Sequence, residues 1–185
     1  MGYKAQDAHA VANAHIRQSF GEKLSFELVR DGVTIGGLAY ASKIRSPKGN
    51  SAFSSAQAHI HGIDVAIDAQ KTNASTGPVE FEFEKEDYEF GLLKYDWRGR
   101  CKLGLTRVDG GRDEFKIKPK GVKDFWFLVE HNNYPVMEFR PSKKYRQTDY
   151  GFNIRMRTRR IPERVIDELS IYIGFAANIY MSQLK

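Results

Sequence analysis

Cysteine occurs once, at Cys101, which excludes an internal disulfide framework and fits a reducing compartment. A membrane-spanning helix needs about 20 consecutive apolar residues, and the principal apolar run, residues 169–181, holds thirteen. Residues 1–20 carry His, Gln and Asp throughout and no apolar h-region, so no secretory leader is expected. Gln6 stands where a myristoylation signal after Gly2 requires Ser or Thr. Repeats, low-complexity tracts and long charged linkers are missing as well. Together these absences predict a cytoplasmic protein without a transmembrane segment.

What is present is a balance typical of folded domains. The 185 residues are 41% hydrophobic and 28% charged, enough to bury one core without staples. The formal charge of +6 is concentrated. Residues 139–164 hold nine basic side chains, Arg140, Lys143, Lys144, Arg146, Arg155, Arg157, Arg159, Arg160 and Arg164, against Asp149 and Glu163. That surplus of seven leaves the rest of the chain at −1.

Hydrophobic periodicity predicts a mainly β protein. After residues 5–20, where Ala8, Val11, Ala12, His15 and Ile16 recur at helical spacing and suggest a short helix or an N-terminal arm, the period becomes two. Residues 24–29 and 33–40 flank an Asp31-Gly32 hairpin turn. Residues 46–55, rich in Ser with Pro47 and Gly49, read as a loop, and so do residues 72–78. Strands are expected over 56–61, 63–68, 79–84, 88–95, 101–107, 114–118, 125–130, 135–140 and 150–156, with one more open at 143–148. Residues 79–84 alternate strictly, with Val79, Phe81 and Phe83 on one face and Glu80, Glu82 and Glu84 on the other.

A helix is expected over 162–184. Pro162 suits the first helical position, and Glu163, Asp167 and Glu168 suit the positive end of the helix dipole. Within residues 169–181 only Ser170 and Asn178 carry uncharged polar side chains, so this helix must be enclosed on all sides. The expected architecture is therefore an antiparallel barrel of about twelve strands, residues 21–185, enclosing a hydrophobic C-terminal helix. A closed sheet of that size is too wide for its own side chains to fill, whereas a helix is about 10 Å across.

The sequence Ser25-Phe-Glu-Leu-Val-Arg-Asp-Gly-Val-Thr-Ile-Gly36, the strand over 150–158 and the apolar helix together resemble the tubby C-terminal domain superfamily, which includes LURP-one-related proteins and phospholipid scramblases. The resemblance is architectural and covers about residues 20–185. It implies a non-enzymatic domain; phosphoinositide binding belongs to the tubby members, and many microbial members have no known role. The acidic calcium-binding segment of scramblases has no counterpart here, so calcium dependence is not implied.

The strongest candidate site is an arginine ladder. Arg155, Arg157 and Arg159 project from one strand face at steps of about 7 Å, and guanidinium groups bind phosphate bidentately. Arg140, Lys143, Lys144 and Arg146 extend the same basic field, while Tyr145 and Tyr150 suit a membrane interface. These residues are expected to bind an anionic partner, with acidic membrane phospholipid ahead of nucleic acid. The plain alternative is a ladder that faces water or pairs with Glu80, Glu82 and Glu84.

A second reading is a carrier holding a small apolar ligand inside the barrel, which requires the helix to cap the interior and not fill it. His59 and His61 are placed on one strand face, with His131 or Asp64 as possible completing ligands, but no spacing identifies a third metal ligand. Cys101 has no nucleophile context, and Asp64 and Asp68 stand about 13 Å apart on their strand, too far for an acid/base pair. Trp97 and Trp126 are expected to pack. No catalytic residue, cofactor or metal is expected.

Overall fold

In the computed structural model, described over residues 14–20, 24–45, 51–70, 79–95, 100–121, 126–141, 152–158 and 163–183, the alternating segments become strands. In chain order they are β1 (Ala14–Phe20), β2 (Leu24–Arg30), β3 (Val33–Arg45), β4 (Ser51–Ile60), β5 (Ile63–Ala69) and β6 (Val79–Lys85). They continue as β7 (Tyr88–Tyr95), β8 (Cys101–Thr106), β9 (Arg112–Lys120), β10 (Trp126–His131), β11 (Tyr134–Pro141) and β12 (Phe152–Met156). One helix, α1 (Glu163–Gln183), follows.

β2 through β12 form one antiparallel sheet in which each strand pairs with its sequence neighbours. β1 pairs with β2 along its full length, from Ala14 opposite Arg30 to Phe20 opposite Leu24. Its other edge meets β12 through His15 opposite Asn153 and Ile16 opposite Phe152.

Tight turns occupy one end of this sheet. Asp31-Gly32, His61-Gly62, Glu86-Asp87 and Asn132-Asn133 all have positive φ at both residues, the backbone of the two-residue turn whose twist matches that of paired strands. α1 enters from the same end, because β12 runs back toward those turns before the helix begins.

The inner face of the sheet is aromatic, and α1 fills it. From Leu169 to Ile179 every helical residue is buried. The Phe175 ring stacks on Tyr40 at 5.8 Å and meets Phe81 edge-on at 5.1 Å. Tyr172 meets Phe83 at 4.9 Å, and Tyr180 meets Phe127 at 5.5 Å. The helix thus touches rings from β3, β6 and β10, strands spread widely around the sheet. The two uncharged polar side chains within this buried stretch are satisfied: Ser170 donates to the Ile166 carbonyl at 2.7 Å, and Asn178 donates to the Tyr40 hydroxyl at 3.1 Å. The sheet makes room for the helix at Gly36, where a Cβ would stand 2.9 Å from the Ile171 side chain and 2.7 Å from the His59 carbonyl.

Two local expectations are corrected. The helical spacing over residues 5–20 does not produce a helix at 14–20, because that segment completes a ladder along β2; residues 1–13 lie outside the described residues. The Ser-rich loop expected over 46–55 ends before Ser51, since Ser51 to Ser55 pair with Arg45 to Ser42 across β3. The expected loop at 72–78 and the optional strand at 143–148 lie outside the described residues. No helix among the described residues is long and apolar enough to cross a membrane.

Candidate binding surfaces

The inward positions of β11 and β12 are Met137, Phe139, Phe152, Ile154 and Met156, all buried. Parity therefore turns Glu138, Arg140, Asn153, Arg155 and Arg157 to the outer face. Register sets Glu138 opposite Arg155 and Arg140 opposite Asn153. Four charged side chains consequently crowd one small area.

Glu138 organises that area. Its side chain is 0% exposed although it points away from the core, and it accepts hydrogen bonds from both neighbouring arginines. Arg140 Nε donates to its Oε2 at 3.0 Å, and Arg157 donates to its Oε1. Burial pushes the Glu138 carboxyl up, but the hydrogen bonds and charges of Arg157 and Arg140 outweigh it and hold the group below the usual carboxylate range. Arg140 also lies 4.5 Å from the ring centre of Trp126 on β10, within cation–π range.

The ladder is thus partly neutralised, by Glu138 and not by the glutamates of β6. Glu80 instead pairs with Lys94 at 2.8 Å, its direct cross-strand partner. Arg155 is exposed and makes no ion pair among the described residues. Arg159, Lys143, Lys144, Arg146, Tyr145, Tyr150 and Trp97 lie outside the described residues.

On β5, β6 and β7 the outer face is acidic. Burial and repulsion from Glu89, Glu84, Glu80 and Asp68 raise the Glu82 carboxyl above its ordinary value. Along the sheet order β6 lies six strands from β12, so opposite charges occupy well-separated parts of the outer surface.

The histidines weighed as a metal pair do not converge. His61 sits in the β4–β5 turn with φ of 51°, off the strand face of His59, and its Nε2 lies 2.9 Å from Asp167 Oδ2 on α1. His59 instead pairs with Asp64 at 2.7 Å on the surface. His131 stacks on Phe115 at 4.8 Å and meets Asp113 at 3.1 Å. Among the described residues no group of three His, Cys, Asp or Glu side chains could hold a metal ion. Cys101 is buried.

Sequence reasoning missed Asp167. Its carboxylate is 2% exposed and is held by Arg30 from β2 together with His61. The three residues are distant in sequence, and only the entry of α1 beside the tight turns brings them together. No protein-family model matches the sequence, and no curated protein or solved structure matches the chain.

Proposed function

We propose that this protein is a non-catalytic binding domain, a twelve-stranded barrel closed through β1 around α1, whose basic outer face docks on acidic membrane phospholipid. The observation that carries the reading is the exposure of Arg155 beside Arg140 and Arg157, with Glu138 as the one acid among the described outward residues of β11 and β12. Three guanidinium groups against one carboxylate leave this face positive at neutral pH. Trp126, half-buried next to Arg140, adds the kind of amphipathic ring that suits a headgroup region. The tubby-like resemblance of the sequence and the cytoplasmic location expected from it would suit contact with an anionic inner leaflet. The helix-filled interior argues against a ligand held at the barrel's centre, since Phe175 and Tyr172 occupy that space.

Co-sedimentation with phosphatidylserine or phosphoinositide vesicles tests the proposal. A basic side chain near an anionic surface contributes about 1 kcal/mol, so Arg155→Ser is expected to lower partitioning about fivefold, and Arg155→Glu further. Added salt weakens binding in the wild type. Partitioning that is unchanged in both variants sinks the idea, and a salt-steep gel shift of an oligonucleotide without vesicle binding would assign the face to nucleic acid instead.

A further inference from the structure

The basic face leaves unexplained a cavity of about 670 Å³ at the tight-turn end of the sheet, beside the first turns of α1. Its size falls in the range of about 300–1,000 Å³ typical of small-molecule sites. The floor is apolar, made by Ile60, Ile63, Val65, Phe90 and Tyr172. Tyr88, Val108 and Val165 stand exposed around its rim. These three come from the β6–β7 hairpin, the β8–β9 turn and the helix, so separate elements converge to present apolar surface to water at one place. Apolar groups gathered at the mouth of a concave site mark a ligand groove more than an ordinary surface.

Four charged side chains, Lys85, Glu86, Arg107 and Glu168, interrupt the apolar pattern at this mouth. On β6 the inward positions Phe81 and Phe83 are buried in the core, and the same parity places Lys85 inward, at the cavity wall. Lys85 is half-buried and has no ion pair among the described residues. Arg107, also in the wall, is already engaged by Asp109 at 3.1 Å and Asp113 at 3.2 Å. Two acids border the same cavity: Glu86, exposed on the turn, and Glu168, on the helix. Among the described residues lining the cavity, Lys85 is therefore the cation without an ion pair, at the edge of an apolar floor.

We propose that this end cavity binds a fatty acid, its chain lying over Ile60, Ile63, Val65 and Phe90 and its carboxylate on Lys85. The floor removes aliphatic surface from water at about 25 cal/mol per Å². Lys85 supplies a charge-assisted hydrogen bond that a neutral alkyl alcohol cannot match. The site lies at the end of the sheet and shares no residue with the Arg140–Arg155–Arg157 face, so it stands or falls independently of vesicle docking.

Calorimetric titration of the intact protein with monomeric dodecanoate, and separately with decanol as a neutral chain, tests the assignment. The expected result is saturable one-to-one binding of dodecanoate. Lys85→Glu weakens it by about tenfold or more, as expected for loss of a charge-assisted bond, and leaves decanol affinity within about twofold. Val165→Trp fills the mouth from an exposed position and removes binding of both compounds. Thermal unfolding of each variant checks that the fold is kept, and Lys85→Gln replaces Lys85→Glu if the latter does not fold. The proposal is overturned by a wild type that shows no saturable dodecanoate binding, by undiminished binding in Val165→Trp, or by equal weakening of dodecanoate and decanol at position 85.

Discussion

Two buried carboxylates decide how charge is handled at the level of single residues, and they do so differently. Asp167 is anchored inside, between Arg30 and His61. Removing one partner of a buried ion pair costs about 3–5 kcal/mol, so Asp167→Ala is expected to lower the free energy of unfolding by about 3 kcal/mol in urea titrations; a loss under about 1 kcal/mol would mean that solvent reaches the cluster. Glu138 is buried on the outside, between Arg140 and Arg157. Its folded carboxyl titrates below the unfolded value of about 4.3. Its contribution to stability is therefore complete above that value and disappears as pH falls through the lower folded one. Wild type and Glu138→Gln should differ in stability at pH 7 and converge in strong acid, as measured by denaturation at a series of pH values. Curves that stay parallel would deny the carboxylate its role. Neither residue announces itself in the sequence: parity alone places Glu138 in water, and no local pattern joins Asp167 to a turn more than a hundred residues earlier.

At the scale of elements, legibility followed the source of the pattern. Residues 79–84 alternate because one sheet face is wet and the other meets α1, and β6 spans Val79–Lys85. The apolar stretch could be read as an enclosed helix because few polar groups interrupt it, and α1 spans Glu163–Gln183. β1 and the start of β4 were not legible. Their composition suits helix and loop, and pairing with strands already in place overrides local preference. The β6–β7 turn shows the reverse pressure. Glu86 and Asp87 adopt φ of 51° and 61°, a left-handed conformation that costs side chains with a Cβ about 1–2 kcal/mol each. Replacing the pair by Asn-Gly is expected to raise stability by about 1 kcal/mol, detectable as a higher melting temperature. A lower melting temperature would show that these two side chains stabilise the hairpin in ways their backbone angles do not reveal.

For the whole molecule, the sheet order separates basic β11–β12 from acidic β5–β7, while the apolar mouth lies at the end of the sheet. Three surfaces of different chemistry are thereby kept apart by one antiparallel run of hairpins. The interior has a further consequence in time. α1 follows every strand in the chain, so a growing polypeptide holds Phe81, Phe83 and Phe127 on a sheet with nothing yet to cover them. Hairpins close locally, but the contacts that fix the inner face join residues far apart in sequence, such as Tyr40 with Asn178. Such non-local contacts slow folding, and they leave the aromatic face open to association until the helix arrives. The element that completes the core is thus the last one available to build it, and the period before its arrival is when this chain is most exposed to misassembly.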